Sequence, residues 1–219
     1  MKLAVVMLLL GVGACAPVGV VPYSDHPMVI DGQADDWSEG FDRTKFGEMA
    51  FALAIDQYFA YVLVEGVGEK AKRMMFDSGL TLWLNPDGKK IKSVGIRYPV
   101  IDRDKPDHPT ASTRYFRIPK PGLDDFGLKG VISNQMLVVK KSRLQLDLDV
   151  VIGLDSLSQN LIYEFKIPLK FLEMKSKKGL ESLAVGFEVD DGGHGIGPML
   201  TPGYRRTDKI DFWHIVAIE

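Results

Sequence analysis

The 219-residue chain has one cysteine, Cys15. A secreted domain stapled by disulfides needs an even set of cysteines in its folded part, so that architecture is excluded. No apolar run approaches the roughly 20 residues that a membrane-spanning helix requires. Neither sign of charge dominates: 27 Lys and Arg stand against 29 Asp and Glu, for a net charge of −2. That balance lacks the basic stripe of a nucleic-acid binder, and no nucleic-acid partner is expected. The short Lys-rich pieces, "EKAKR", "DGKKIK" and "KSKK", read as solvated loops. HExxH, GxSxG and a phosphate-cradling glycine loop are all missing, and His26, His108, His194 and His214 fall at no paired spacing. A zinc or serine hydrolase is therefore not expected. Internal repeats and low-complexity tracts are also absent. What is present, 46% apolar and 26% charged residues, suits a globular chain with material for a sizeable core.

The N-terminus reads as an export signal: Lys2, an apolar run from Leu3 to Leu10, then the small residues Gly11 to Ala14. Val12-Gly13-Ala14-Cys15 resembles the lipobox of bacterial lipoproteins, which implies cleavage after residue 14 and acylation of the Cys15 thiol. Several acyl chains hold a protein on a membrane, since each buried methylene contributes about 0.8 kcal/mol. Ala16, following the cysteine, implies by resemblance to Gram-negative lipoproteins sorting to the outer membrane. The expected organisation is a signal peptide over 1–14, a lipid anchor and extended tether over 15–27, and one domain over 28–219 at the bacterial cell envelope.

Within that domain the hydrophobic pattern has period two, and turn signals recur about every ten residues. In "RLQLDLDVVIG", Leu144, Leu146, Leu148, Val150 and Ile152 share one strand face, opposite Gln145, Asp147, Asp149 and Val151. "IYEFKIP" and "LAVGFEVDDG" repeat the scheme, with Glu164, Lys166 and Glu188 on faces expected to be wet. "FALAIDQYFAYVLVEG" predicts two strands around Asp56-Gln57, and Asn85-Pro86-Asp87-Gly88 predicts a second hairpin. One short helix is expected at "IPLKFLEM", with Pro168 in its first turn. Pro99 to Gly122 reads as a long loop. Short, half-wet antiparallel strands bury their apolar sides by pairing two sheets. The fold class expected is all-β, an antiparallel two-sheet sandwich of jelly-roll or immunoglobulin-like kind, with at most one or two short helices.

The order of the pieces adds a family. "MVIDGQADDWSE", "LAIDQYFAYVLVEG", "GLTLWLNPDG", "YEFKIPL", "VGFEVDDGG" and "DFWHI" together resemble the family 9 carbohydrate-binding modules and their DOMON-like relatives, from Met28 to the C-terminus. The resemblance implies a β-sandwich that binds saccharide ends or similar small polar ligands without catalysis. In the sugar-binding members two tryptophans clamp the ligand, and the matching positions here are Trp83 and Trp213. The loop over 99–122 departs from the family pattern.

Strand parity places Trp83 with Thr81, opposite Leu80, Leu82 and Leu84. If the leucines face the core, Trp83 faces outward beside Arg97 of the partner strand, offering a sugar an apolar ring and a fork of donors. The alternative is a Trp83 covered on both sides and simply part of the core. Trp213 shares a face with Ile215 and Ala217, but both faces of its strand are apolar, so parity leaves a ligand platform and a doubly buried strand both open. Trp37 reads as a plug over one end of the sandwich. Asp147 and Asp149, about 6.6 Å apart by strand rise, overlap the spacing of an inverting glycosidase pair; Gln145, Lys140, Lys141 and Arg143 nearby favour a solvated face. No catalytic residue is assigned. Asp190 and Asp191, with His194 in a Gly-rich loop, are candidates for a calcium site outside the twelve-residue loop pattern. The sequence thus points to a lipid-anchored, non-catalytic binder of carbohydrate or a related small polar ligand, the alternative being an assembly lipoprotein that contacts an envelope protein.

Overall fold

The computed structural model describes residues 19–37, 48–99, 127–132, 135–140, 146–189 and 210–218. Two apolar segments, β2 (Met49–Ile55) and β3 (Phe59–Gly66), pair antiparallel around a turn at Asp56. Asp56 closes that turn with its own side chain: Oδ1 accepts from the amides of Tyr58 (2.7 Å) and Phe59 (2.6 Å), and Oδ2 from the Tyr61 hydroxyl (2.6 Å). This is how an Asp replaces the backbone bonds a turn leaves unmade. Burial pushes the Asp56 carboxyl up, but the three donors outweigh it and hold it below the usual range. β9 (Leu161–Pro168) pairs with β3, and β8 (Asp149–Leu154) with β9, giving a four-stranded sheet in the order β2-β3-β9-β8.

The second sheet is built on β4 (Leu80–Asn85), β5 (Val94–Tyr98), β6 (Gly127–Ile132), β7 (Gln135–Lys140), β10 (Ser182–Val189), β11 (Ile210–Ala217) and the short β1 (Gly19–Val20), in the order β1-β11-β10-β4-β5-β6-β7. All pairs are antiparallel except β1 with β11. The β4–β5 connection uses the expected residues: Gly88 takes φ 67°, and Asn85 Oδ1 accepts from the amides of Asp87 and Lys89. The two-sheet sandwich agrees with the period-two pattern. Leu80, Leu82 and Leu84 face Val62, Val64, Tyr163 and Phe165 across one core, where each fully buried large side chain contributes about 1.5–3 kcal/mol. Leu148, Val150 and Ile152 point into that core as their alternation requires, while Asp147 and Asp149 are exposed.

Several expectations fail, each for a tertiary reason. "EKAKR" is not a loop but opens α1 (Glu69–Ser78). Its charges hide an amphipathic helix whose Ala71, Met74, Met75 and Phe76 join the core. Gly68 supplies no side-chain cap, and Glu48 substitutes, its Oε2 accepting from the Ala71 amide at 3.2 Å. Pro168 caps α2 (Leu169–Glu173) from just outside rather than from its first turn. The outer faces of β9 and β10 are not wet, because Glu164 and Glu188 are buried.

The tether expected over 15–27 is docked from Gly19 onward. Gly19 and Val20 pair with Val216 and Ala217, the Val21 amide donates to Ala217 O, and Ser24 and Pro22 exchange backbone bonds with Ile55. This segment ties the edge of one sheet to the edge of the other and covers strand edges that would otherwise be open. Cys15, most of the 99–122 loop, and Asp190, Asp191 and His194 lie outside the described residues. Among the described residues no helix is long and apolar enough to cross a membrane.

Candidate functional site

The outer face of the seven-stranded sheet carries a row of residues fixed by register. Trp213 of β11 pairs with Gly186 of β10, Gly186 with Trp83 of β4, and Trp83 with Gly95 of β5. Cross-strand partners share a face, so both tryptophans stand outside the leucine core. Each indole lies across a glycine. A Cβ on Gly186 would come within 2.7 Å of Trp213 Cδ2, and one on Gly95 within 2.7 Å of Trp83 Cζ3. Glycine inside a strand usually weakens it; here it leaves the seat on which a ring lies flat.

The two rings differ in exposure. Trp213 is half-buried, while Phe212 and Val216 of the same strand point into the core. Trp83 is only 1% exposed, which corrects its assignment as an outward ligand platform. Parity placed it on the outer face correctly, but that face is filled there. The Trp83 Nε1–H donates to Glu188 Oε2 at 2.5 Å, and Lys92 sits over the ring, its Nζ 5.2 Å from the centroid and 2.7 Å from the same Glu188 oxygen. A buried carboxylate is tolerated when an ammonium and an N–H both satisfy it. Trp83 therefore forms the floor of the site, locked by Glu188 and Lys92.

Arg97, half-buried, pairs with Thr81, one step along this face from Gly95. The face thus holds Trp213 as a partly open ring, with Glu188 on β10, Arg97 on β5 and Lys92 in the β4–β5 connection as charged groups. The sequence missed Lys92 and Glu188, because their meeting depends on the β4–β10 register, which no local pattern announces. Gly95 and Gly186 did carry a signal, as isolated glycines within strand patterns.

A second polar cluster lies on the outer face of the other sheet. Glu164, fully buried, accepts from the amides of Asp31 (2.9 Å) and Gly32 (2.6 Å) and from Trp37 Nε1 (2.8 Å). Burial pushes its carboxyl up to about 7 despite the three donors. Trp37 is thus no end plug: with Ala52, Ala54, Tyr61, Leu63 and Ile162 it makes a satellite core under the 28–37 segment. The whole arrangement is occupied by the chain itself, so it fastens the N-terminal segment and offers no ligand surface. Asp147 is exposed and lies 3.5 Å from Lys166, and Asp149 caps its own strand through the Val150 amide. Neither has the dry surroundings that a general acid needs. No group of His, Cys, Asp and Glu arranged to hold a metal occurs among the described residues.

No protein-family profile matches the chain, and no curated protein matches it. Among solved structures, a family 9 carbohydrate-binding module from Caldicellulosiruptor kristjanssonii in complex with glucose is similar over 91% of this chain and 94% of that one, at 16% identity and a TM-score of 0.42. A module of the same family and organism in complex with cellotriose is similar over 91% and 93%, at 14% identity and a TM-score of 0.43.

Proposed function

We propose that the protein is a non-catalytic carbohydrate-binding sandwich, exported and held at the bacterial cell envelope by acyl chains on Cys15, with its ligand on the outer face of the seven-stranded sheet. One observation carries the binding site: the half-buried Trp213 indole lying flat over Gly186, with Glu188 on the adjacent strand β10 and Lys92 reaching it from the β4–β5 turn. An aromatic face beside a few fixed donors and acceptors matches a sugar, whose C–H faces are apolar and whose rim is hydroxylated. Lys92 and Arg97 supply donors and Glu188 an acceptor, while Trp83 gives the floor its rigidity. Acylation is supported by the Val12-Gly13-Ala14-Cys15 pattern and by the lack of any second cysteine for the thiol to pair with.

The test is calorimetric titration of the mature protein with a glycan panel headed by glucose and cellotriose, the ligands in the similar solved modules. Wild type binds at least one member, and Trp213→Ala weakens it by about tenfold or more, since an aromatic stacking contact is worth about 1 kcal/mol beyond its area. Binding to no glycan, or equal affinity in the Trp213→Ala variant, refutes the proposal. Trp83→Ala is a poor probe, because it also leaves Glu188 buried with one donor fewer.

A further inference from the structure

The end of the sandwich at which β1 docks bears two loops fastened to each other. The β4–β5 turn, 86–93, and the connection from α2 into β10, 173–181, meet at Asp87, whose Oδ1 accepts from Ser176 Oγ at 2.9 Å and from the Lys177 amide at 2.8 Å. Those bonds, the amide first, hold the Asp87 carboxyl below its ordinary range, and Asp87 also forms a bridge with Ser182. The shape of the pair is therefore set by backbone and Asp87, not by the lysines around it.

Those lysines concentrate charge of one sign. The two loops contain Lys89, Lys90, Lys92, Lys175, Lys177 and Lys178 against Asp87, Glu173 and Glu181, in a chain whose total charge is −2. Lys92 turns inward to Glu188; the other five lysines are exposed. Among them stand two apolar side chains open to solvent, Ile91 at 61% and Met174 at 65% exposure. The exposed Asp147 and Asp149 adjoin the edge strand of the other sheet, where Asp147 is met by Lys166.

The docked N-terminal segment lies close to these loops. Val20 pairs with Ala217, Ala217 with Ser182, and Ser182 bridges Asp87. At about 4.8 Å per strand, β1 lies roughly 15 Å from the lysine loops, along the same end of the sheet. Cys15 precedes Gly19 by four residues, which reach at most about 14 Å fully extended. An acyl group on Cys15 would keep Gly19 within about that distance of the bilayer.

We propose that the paired loops 86–93 and 173–181 are a docking surface for an anionic phospholipid leaflet, with the five exposed lysines at headgroup phosphates and Ile91 and Met174 in the interfacial layer. The proposal rests on the acyl-anchor reading for its setting, while the surface itself is built by residues of the folded domain. Lysines within a Debye length of such a leaflet strengthen attachment, and salt screens them. Docked this way, the protein holds a fixed orientation on the membrane.

The test is amine acetylation of the mature protein on vesicles of phosphatidylcholine alone and of phosphatidylcholine with phosphatidylglycerol, read by peptide mass spectrometry. On the anionic vesicles Lys89, Lys90, Lys175, Lys177 and Lys178 become several-fold less reactive, the protection fades at high salt, and Lys70 in α1 at the opposite end is unchanged. In Lys175→Gln/Lys177→Gln/Lys178→Gln, protection of Lys89 and Lys90 drops as well. Equal reactivity of the five lysines on both vesicles overturns the proposal. Intact mass of the same preparation reads the anchor separately. Acyl chains on Cys15 with unprotected lysines sink the docking surface alone, whereas an unmodified thiol with protected lysines sinks the anchor and leaves the surface standing.

Discussion

Replacing Glu164 by Gln removes a titrating group from the seam between the 28–37 segment and the four-stranded sheet. In the wild type its carboxyl moves from an ordinary value of 4.5 to about 7 in the folded protein. The cause is first burial, the side chain being fully enclosed, and then the nearby charge of Asp36; the amides of Gly32 and Asp31 and the Trp37 indole oppose it. A folded-state pKa above the unfolded one means that the native protein binds the proton more tightly between these values. Stability is therefore highest below about pH 4.5 as far as this group is concerned, and falls as pH rises to about 7. Each tenfold change in proton affinity is worth about 1.4 kcal/mol, so the loss across that window is about 3 kcal/mol. Gln cannot titrate, so its stability should be flatter from pH 5 to pH 8. It also turns an amide donor toward either the Trp37 N–H or the two backbone N–H groups, at a pH-independent cost of about 1–3 kcal/mol. The assay is urea unfolding followed by circular dichroism at a series of pH values. The difference between the two proteins should change by about 3 kcal/mol across the window, Gln being relatively better at pH 8 than at pH 5. A difference that stays constant with pH refutes the reasoning, because it means that burial does not penalise the Glu164 charge.

Two further outcomes follow from the geometry. Gly186→Ala places a methyl within 2.7 Å of Trp213 Cδ2, so the ring must lift; glycan affinity in the same titration should fall about as far as in Trp213→Ala, whereas Gly95→Ala, which presses on the buried Trp83, should show its main cost in unfolding. Asp56→Ala removes three hydrogen bonds from the β2–β3 turn and leaves the buried Tyr61 hydroxyl without its acceptor; urea unfolding at pH 7 should register a loss of about 2–4 kcal/mol, and an unchanged midpoint would show that water replaces the carboxylate.

The amino-acid sequence by itself determined the class of the fold, because a period of two leaves apolar faces that only a second sheet covers. It also determined which leucines face inward from β4 and the chemistry of the turns at Asp56 and Asn85 to Gly88, since a short side chain bonding its own backbone is a local event. Resemblance pointed to both tryptophans, and parity set Trp83 outward. Only the tertiary structure decided that Trp83 is sealed beneath Lys92 and Glu188 while Trp213 keeps an open side, because exposure depends on what crosses a face and not on which face a residue takes. It likewise turned "EKAKR" into a helix whose apolar side meets the core, drew 19–24 onto both sheet edges, and drove Glu164 beneath Trp37. In each case the partner lies far away in the chain. Local propensity fixes the strands, and long-range register fixes which of their polar residues remain in water.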